Sequence, residues 1–64
     1  MVIDKKRIET VLAEQGITKA ALAAKCSISN QNLSIIIRRG TCEPRTAGKL
    51  ASGLGVSVTE IMKE

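Results

Sequence analysis

Along this chain one short unit recurs: an apolar residue, a residue able to cap a helix, three others, then a second apolar residue. It reads Ile3-Asp4-xxx-Ile8, Ile17-Thr18-xxx-Leu22, Ile28-Ser29-xxx-Leu33 and Val56-Ser57-xxx-Ile61. In each, the cap oxygen takes a free N–H of the first turn while the flanking apolar pair closes a hydrophobic staple. The pattern predicts four helix starts. Ser57 with Glu60 three places on also predicts a capping box. A fifth start is expected at Thr46, with Leu50 in the staple position but Arg45 spoiling its partner; Pro44 is expected to lie outside that helix. Gly16, Gly40 and Gly55 stand where left-handed C-caps would close helices 1, 3 and 4. The expected helices run near residues 5–15, 19–25, 30–39, 47–54 and 58–63.

Within these spans the apolar residues fall at helical spacing. The expected core is Ile8, Val11 and Leu12; Leu22, Ala23 and Cys26; Leu33, Ile36 and Ile37; Leu50, Ala51 and Leu54; and Ile61 and Met62. The only β-branched run, Ile35 to Ile37, is three residues long and follows a helix cap, so no strand competes. With no internal linker or low-complexity segment, a single all-α domain spanning residues 1–64 is expected. Gly48 and Gly53 inside helix 4 each cost about 1 kcal/mol against alanine. Nothing in the sequence explains either.

Composition narrows the function classes. A chain of 64 residues buries only about 60% of its unfolded surface, so its core is small. It holds no aromatic residue and no histidine, which removes the usual acid–base group near neutral pH and any platform for stacking single-stranded bases. Cys26 and Cys42 are too few for a disulfide scaffold or, without histidine, for a closed zinc site. No nucleophile–base pair, metal cluster or phosphate-cradling glycine loop is visible. An enzyme is therefore not expected, nor any catalytic residue, metal or cofactor. The N-terminus lacks a secretory signal and no run approaches the roughly 20 apolar residues that span a bilayer. A soluble, cytoplasmic protein without a membrane partner is the expectation.

The net charge of +4 is unevenly placed. From Ile17 to Leu50, six basic residues (Lys19, Lys25, Arg38, Arg39, Arg45, Lys49) face only Glu43, a net +5. In the rest of the chain, four basic residues (Lys5, Lys6, Arg7, Lys63) face Asp4, Glu9, Glu14, Glu60 and Glu64, a net −1. The middle is the part suited to meeting an anion.

Helices 2 and 3, each too short to persist alone, are separated by only a few residues and must pack across a tight turn, which makes a helix-turn-helix. The stretch "GITKAALAAKCSISNQNLSIIIRRGTCEP", followed by "KLASGLGVSVTEI", resembles the lambda-repressor-like helix-turn-helix family, also called the Cro or XRE family. The resemblance runs from about Arg7 to Met62. It rests on Leu22-Ala23, on Ile28-Ser29 leading into helix 3, on a glycine then a proline after that helix, and on "LGVSVTEI". It implies a compact five-helix bundle whose helix 3 enters the DNA major groove. The chain departs from the family pattern at Lys19, where glutamine is usual, at Ser27, where glycine is frequent, and between Leu33 and Gly40, which is one residue longer.

The periodicity of helix 3 divides its residues. Leu33, Ile36 and Ile37 form an inward stripe, leaving Asn30, Gln31, Ser34, Ile35 and Arg38 opposite. Amides bond bidentately to adenine in the major groove, and an outward apolar group can meet a thymine methyl. Asn30, Gln31, Asn32 and Ser34 are thus the expected base readers, with Ile35 touching methyl groups. A solvated first turn is the plainer reading of the amides, and a peripheral core position that of Ile35. Expected phosphate contacts are Lys19 with the N–H groups at the start of helix 2, Ser29, Arg38, Arg39, Thr41, Arg45 and Lys49. Lys5, Lys6 and Arg7 also fit simple solubility, although the helix dipole opposes them. Val56, Val58, Ile61 and Met62 suggest more apolar surface near helix 5 than a small body can bury, so a homodimer through that end is expected. The expected function is sequence-specific binding of double-stranded DNA by a small transcriptional regulator. The alternative is a protein-interaction module of the same fold, such as an antitoxin or anti-regulator.

Overall fold

The computed structural model describes residues 1–63. Glu64, counted above among the acidic residues, lies outside the described residues. Helix α1 (Lys5–Gln15) starts where the Asp4 carboxylate accepts the N–H groups of Lys6 and Arg7 at 3.0 and 3.3 Å. Helix α2 (Lys19–Cys26) starts where the Thr18 hydroxyl accepts the Ala21 N–H at 3.1 Å. Helix α3 (Asn30–Arg39) starts where the Ser29 hydroxyl accepts the Asn32 N–H at 3.0 Å. Each cap sits in extended backbone and satisfies a donor that the first turn leaves free. Gly16, Gly40 and Gly55 adopt the left-handed conformation expected of them. Ser27 does the same at φ 59°, the one non-glycine residue so placed among the described residues, and turns the chain from α2 toward α3 in three residues.

Two elements differ from expectation. Helix α4 spans Pro44–Leu54, so Thr46 lies within it and Glu43, without a side-chain cap bond, precedes it. Proline is tolerated at the first helical position because the N–H it lacks would have no intrahelical partner, and its fixed φ already suits the helix. Helix α5 is the single turn Val58–Ile61. It stops two residues short of expectation because Met62 is extended and pairs with Ile3. The capping box is also absent: the Ser57 hydroxyl lies 2.9 Å from Thr59 Oγ1, while the Glu60 N–H donates to the Ser57 carbonyl.

The helices close on one aliphatic cluster. Ile8, Leu22, Leu33, Leu50, Leu54 and Ile61 are its large, fully buried members. Both apolar partners of each of the four staples belong to the cluster or pack against it. Val11 and Ile36, expected inside, are half-buried against its edge, and Met62 is half-buried. Ile3 and Ala47 are buried although helical spacing did not select them. Helix α2 packs on both α3 and α4, and α5 joins α4 to α1. The packing accounts for Gly53: a Cβ at that position would stand 2.7 Å from the Cys26 sulfur and 3.1 Å from Leu22 Cδ1, so only glycine lets α4 approach α2 this closely. Gly48 has nothing within 4 Å of a built Cβ.

Residues 1–4 lie extended between two other segments. On one side the Ile3 N–H donates to the Gly40 carbonyl at 2.9 Å and the Cys42 N–H to the Met1 carbonyl at 3.0 Å. On the other, the Asp4 N–H donates to Ile61 at 2.8 Å and the Lys63 N–H to Val2 at 3.2 Å. These antiparallel pairings are isolated bridges, and no strand forms among the described residues. They nonetheless tie the end of α3, the start of α1 and the end of α5 together. No helix among the described residues is long and apolar enough to cross a membrane.

Candidate nucleic-acid interface

Burial separates the faces of α3. Leu33 and Ile37 are inside and Ile36 packs at the core edge, which turns Asn30, Gln31, Asn32, Ser34, Arg38 and Arg39 to solvent. Among the described residues, the side-chain amides of Asn30, Gln31 and Asn32 make no hydrogen bond to protein. Their donors and acceptors stay open. Ile35 is half-buried and does not belong to the core cluster. It lies four residues after Gln31 and three before Arg38, so the three share one stripe of the helix. The amide-bearing end is also the helix N-terminus, where free N–H groups and the dipole favour an approaching anion.

The expected phosphate contacts do not form one set. Lys19 Nζ lies 3.6 Å from Glu9 Oε1, an exposed pair that an approaching phosphate would have to break. Such surface pairs are worth about 0–1 kcal/mol, a weak obstacle. Lys25, Arg38, Arg39, Arg45 and Lys49 have no carboxylate within 4.0 Å among the described residues. The Ser29 oxygen serves as the α3 cap, which leaves its O–H free to donate. Arg45 is exposed in the first turn of α4. Lys49 instead borders a groove of about 610 Å³ between α2 and α4, shared with Lys25, Ser27 and Ser52. The Cys26 thiol faces this groove and donates to the Lys49 carbonyl at 3.2 Å. Burial pushes its pKa up, against the opposing pull of the Lys49 charge. Cys42, also a free thiol, is likewise raised by burial, lowered by the Met1 ammonium and raised by Glu43.

Arg38, Arg39 and Thr41 gather at a separate cleft of about 400 Å³. Lys5 and Lys6, which the sequence left as weaker phosphate candidates, and Lys63, which it missed, line the same cleft. The only signal in the sequence was a run of cations at the start of α1, where the dipole disfavours them. At the α5 end, the apolar surplus is mostly absorbed, since Ile61 is fully buried and Val56 and Val58 pack on the core. Met1 and Val2 are the large apolar residues left exposed, at 41% and 51%. Compared with protein-family models, with curated proteins and with solved structures, the chain matches none.

Proposed function

We propose that this protein is a sequence-specific binder of double-stranded DNA, built on a lambda-repressor-like helix-turn-helix and acting in the cytoplasm as a small transcriptional regulator, most simply a repressor. The observation that carries this reading is the outer edge of α3. Among the described residues, three unpartnered amides and a serine stand at its exposed N-terminal end, with two arginines free of carboxylates at the other. Asn30, Gln31, Asn32 and Ser34 supply the bidentate or single hydrogen bonds that discriminate base edges, and Ile35 supplies an apolar contact for a thymine methyl. Ser29, Arg38, Arg39, Thr41 and Arg45 set register through the backbone, with Lys19 joining once Glu9 releases it. Occupying an operator obstructs polymerase without any further chemistry.

Selection of bound duplexes from a random pool tests this reading. A recurring site is expected, with half-sites about one DNA turn apart if two copies bind as a symmetric pair. If roughly five phosphates are contacted per subunit, log affinity should fall against log salt with a slope of about −0.9 per phosphate. A pool that yields no preferred site, together with binding indifferent to salt, rejects it.

A further inference from the structure

The cations that converge on the 400 Å³ cleft are not explained by base reading. Lys5 and Lys6 come from the first turn of α1, Arg38 and Arg39 from the last turn of α3, and Lys63 from the segment after α5. Among the described residues Asp4 is the one carboxylate on the wall, and its oxygens are engaged: one accepts the N–H groups of Lys6 and Arg7, and the other lies 3.9 Å from Arg7 Nε. The first turn of α1 holds no acidic residue, so at the positive end of the helix dipole Lys5 and Lys6 are offset only by the Asp4 cap among the described residues. Five like charges around one concavity repel each other, and a bound anion relieves that repulsion. Main-chain bonds from Ile3 to Gly40 and from Lys63 to Val2 hold the sides of the concavity together.

We propose that this cleft is a phosphate-binding site which seats the backbone of the same duplex that α3 reads, with Lys5, Lys6 and Lys63 joining Arg38 and Arg39. The inference rests on the DNA-binding reading above. The dimensions agree with it. Arg39 lies eight positions after Gln31, about 12 Å of helix at about 1.5 Å per residue, and the major groove is about 12 Å wide. A helix whose leading end meets the bases is thus long enough for its trailing end to reach the phosphate wall. Duplex DNA offers a negative charge for roughly every 1.7 Å of its axis, so adjacent phosphates can engage several cations at once. An isolated carboxylate cannot. Arginine forks and lysine point charges are also the two donor types that phosphate oxygens accept most strongly.

The test compares the unmodified protein with the triple variant Lys5→Gln/Lys6→Gln/Lys63→Gln. Each is titrated into a selected duplex and an unrelated duplex of equal length between about 50 and 200 mM salt. Affinity is expected to fall by the same factor on both duplexes, with the salt slope shallower by about 0.9 for each phosphate the variant no longer neutralises. The melting midpoint should not fall, since Lys5 and Lys6 oppose the dipole, and the charge-preserving Lys5→Arg/Lys6→Arg variant should retain the slope. Unchanged affinity and slope in the triple variant overturn the cleft and leave the base-reading face standing. If the unmodified protein binds no duplex, the DNA reading fails, and titration with inorganic pyrophosphate then judges the cleft alone. Shifts in the amide signals of Lys5, Lys6, Gly40 and Thr41, absent in the triple variant, support a phosphate site supplied from another source. Their absence from the unmodified protein overturns it.

Discussion

Gln31 and Arg38 share one stripe of α3, yet truncation should expose different roles. Gln31→Ala removes a side chain able to bond two atoms of one base. It is expected to relax preference at a single base pair by about 1–3 kcal/mol, read by repeating the selection with the variant. Arg38→Ala removes a proposed phosphate contact and is expected to weaken all sequences together and flatten the salt slope by about 0.9. Equal weakening on every duplex for both variants would refute this division of labour. A second residue-scale pair concerns stability. Gly48→Ala meets nothing within 4 Å and should stabilise by about 1 kcal/mol through helix propensity. Gly53→Ala has the same propensity advantage, but its methyl would stand 2.7 Å from a buried sulfur held to the Lys49 carbonyl. Overpacking costs about 1–3 kcal/mol, so the net change should be destabilising. Urea titration separates the two signs, and adding Cys26→Ala should recover part of the stability that Gly53→Ala removes.

Among the elements, caps that look alike in sequence are not equal in the fold. The Ser29 hydroxyl accepts a first-turn N–H, whereas that of Ser57 makes no cap bond. Ser29→Ala is therefore expected to cost about 1 kcal/mol and Ser57→Ala clearly less, measured by thermal melting of the two variants. The same contrast shows which features are legible in the sequence. Helices α1 to α3 follow from local signals, an acceptor at the cap and a left-handed residue at the close, and their limits match to within one residue. The start of α4 is hidden because proline reads as a breaker unless it occupies the one position that needs no donor. The end of α5 is hidden because Met62 leaves the helix to pair with Ile3, a partner far away in the chain. For the same reason the open amides of α3 are readable from periodicity, while the cleft is not: Lys5, Lys6 and Lys63 meet Arg38 only through long-range pairing.

Across the whole molecule, residues 1–4 do more than their length suggests. Ile3 is 2% exposed and sits in the core although it precedes the first helix. Ile3→Ala should cost about 2–5 kcal/mol. Domains are stable by only about 5–15 kcal/mol, and one this small belongs near the bottom of that range. A substantial unfolded population without denaturant is expected, visible as loss of helical circular dichroism on mild warming; wild-type-like melting would show that Ile3 contributes little. The bridges around Ile3 join positions about forty residues apart on one side and about sixty on the other, while α2 is packed between α3 and α4. Isolated bridges with exposed flanks open at low free energy, whereas hydrogen bonds inside packed helices open last. The amides of Ile3, Cys42 and Lys63 should accordingly exchange hydrogen for deuterium ahead of those in the middle of α2 and α4. Should that seam fray, the lysines of α1 and the arginines of α3 would drift apart, so the density of positive charge on this face is set by how firmly the seam is stitched, and no single helix carries it alone.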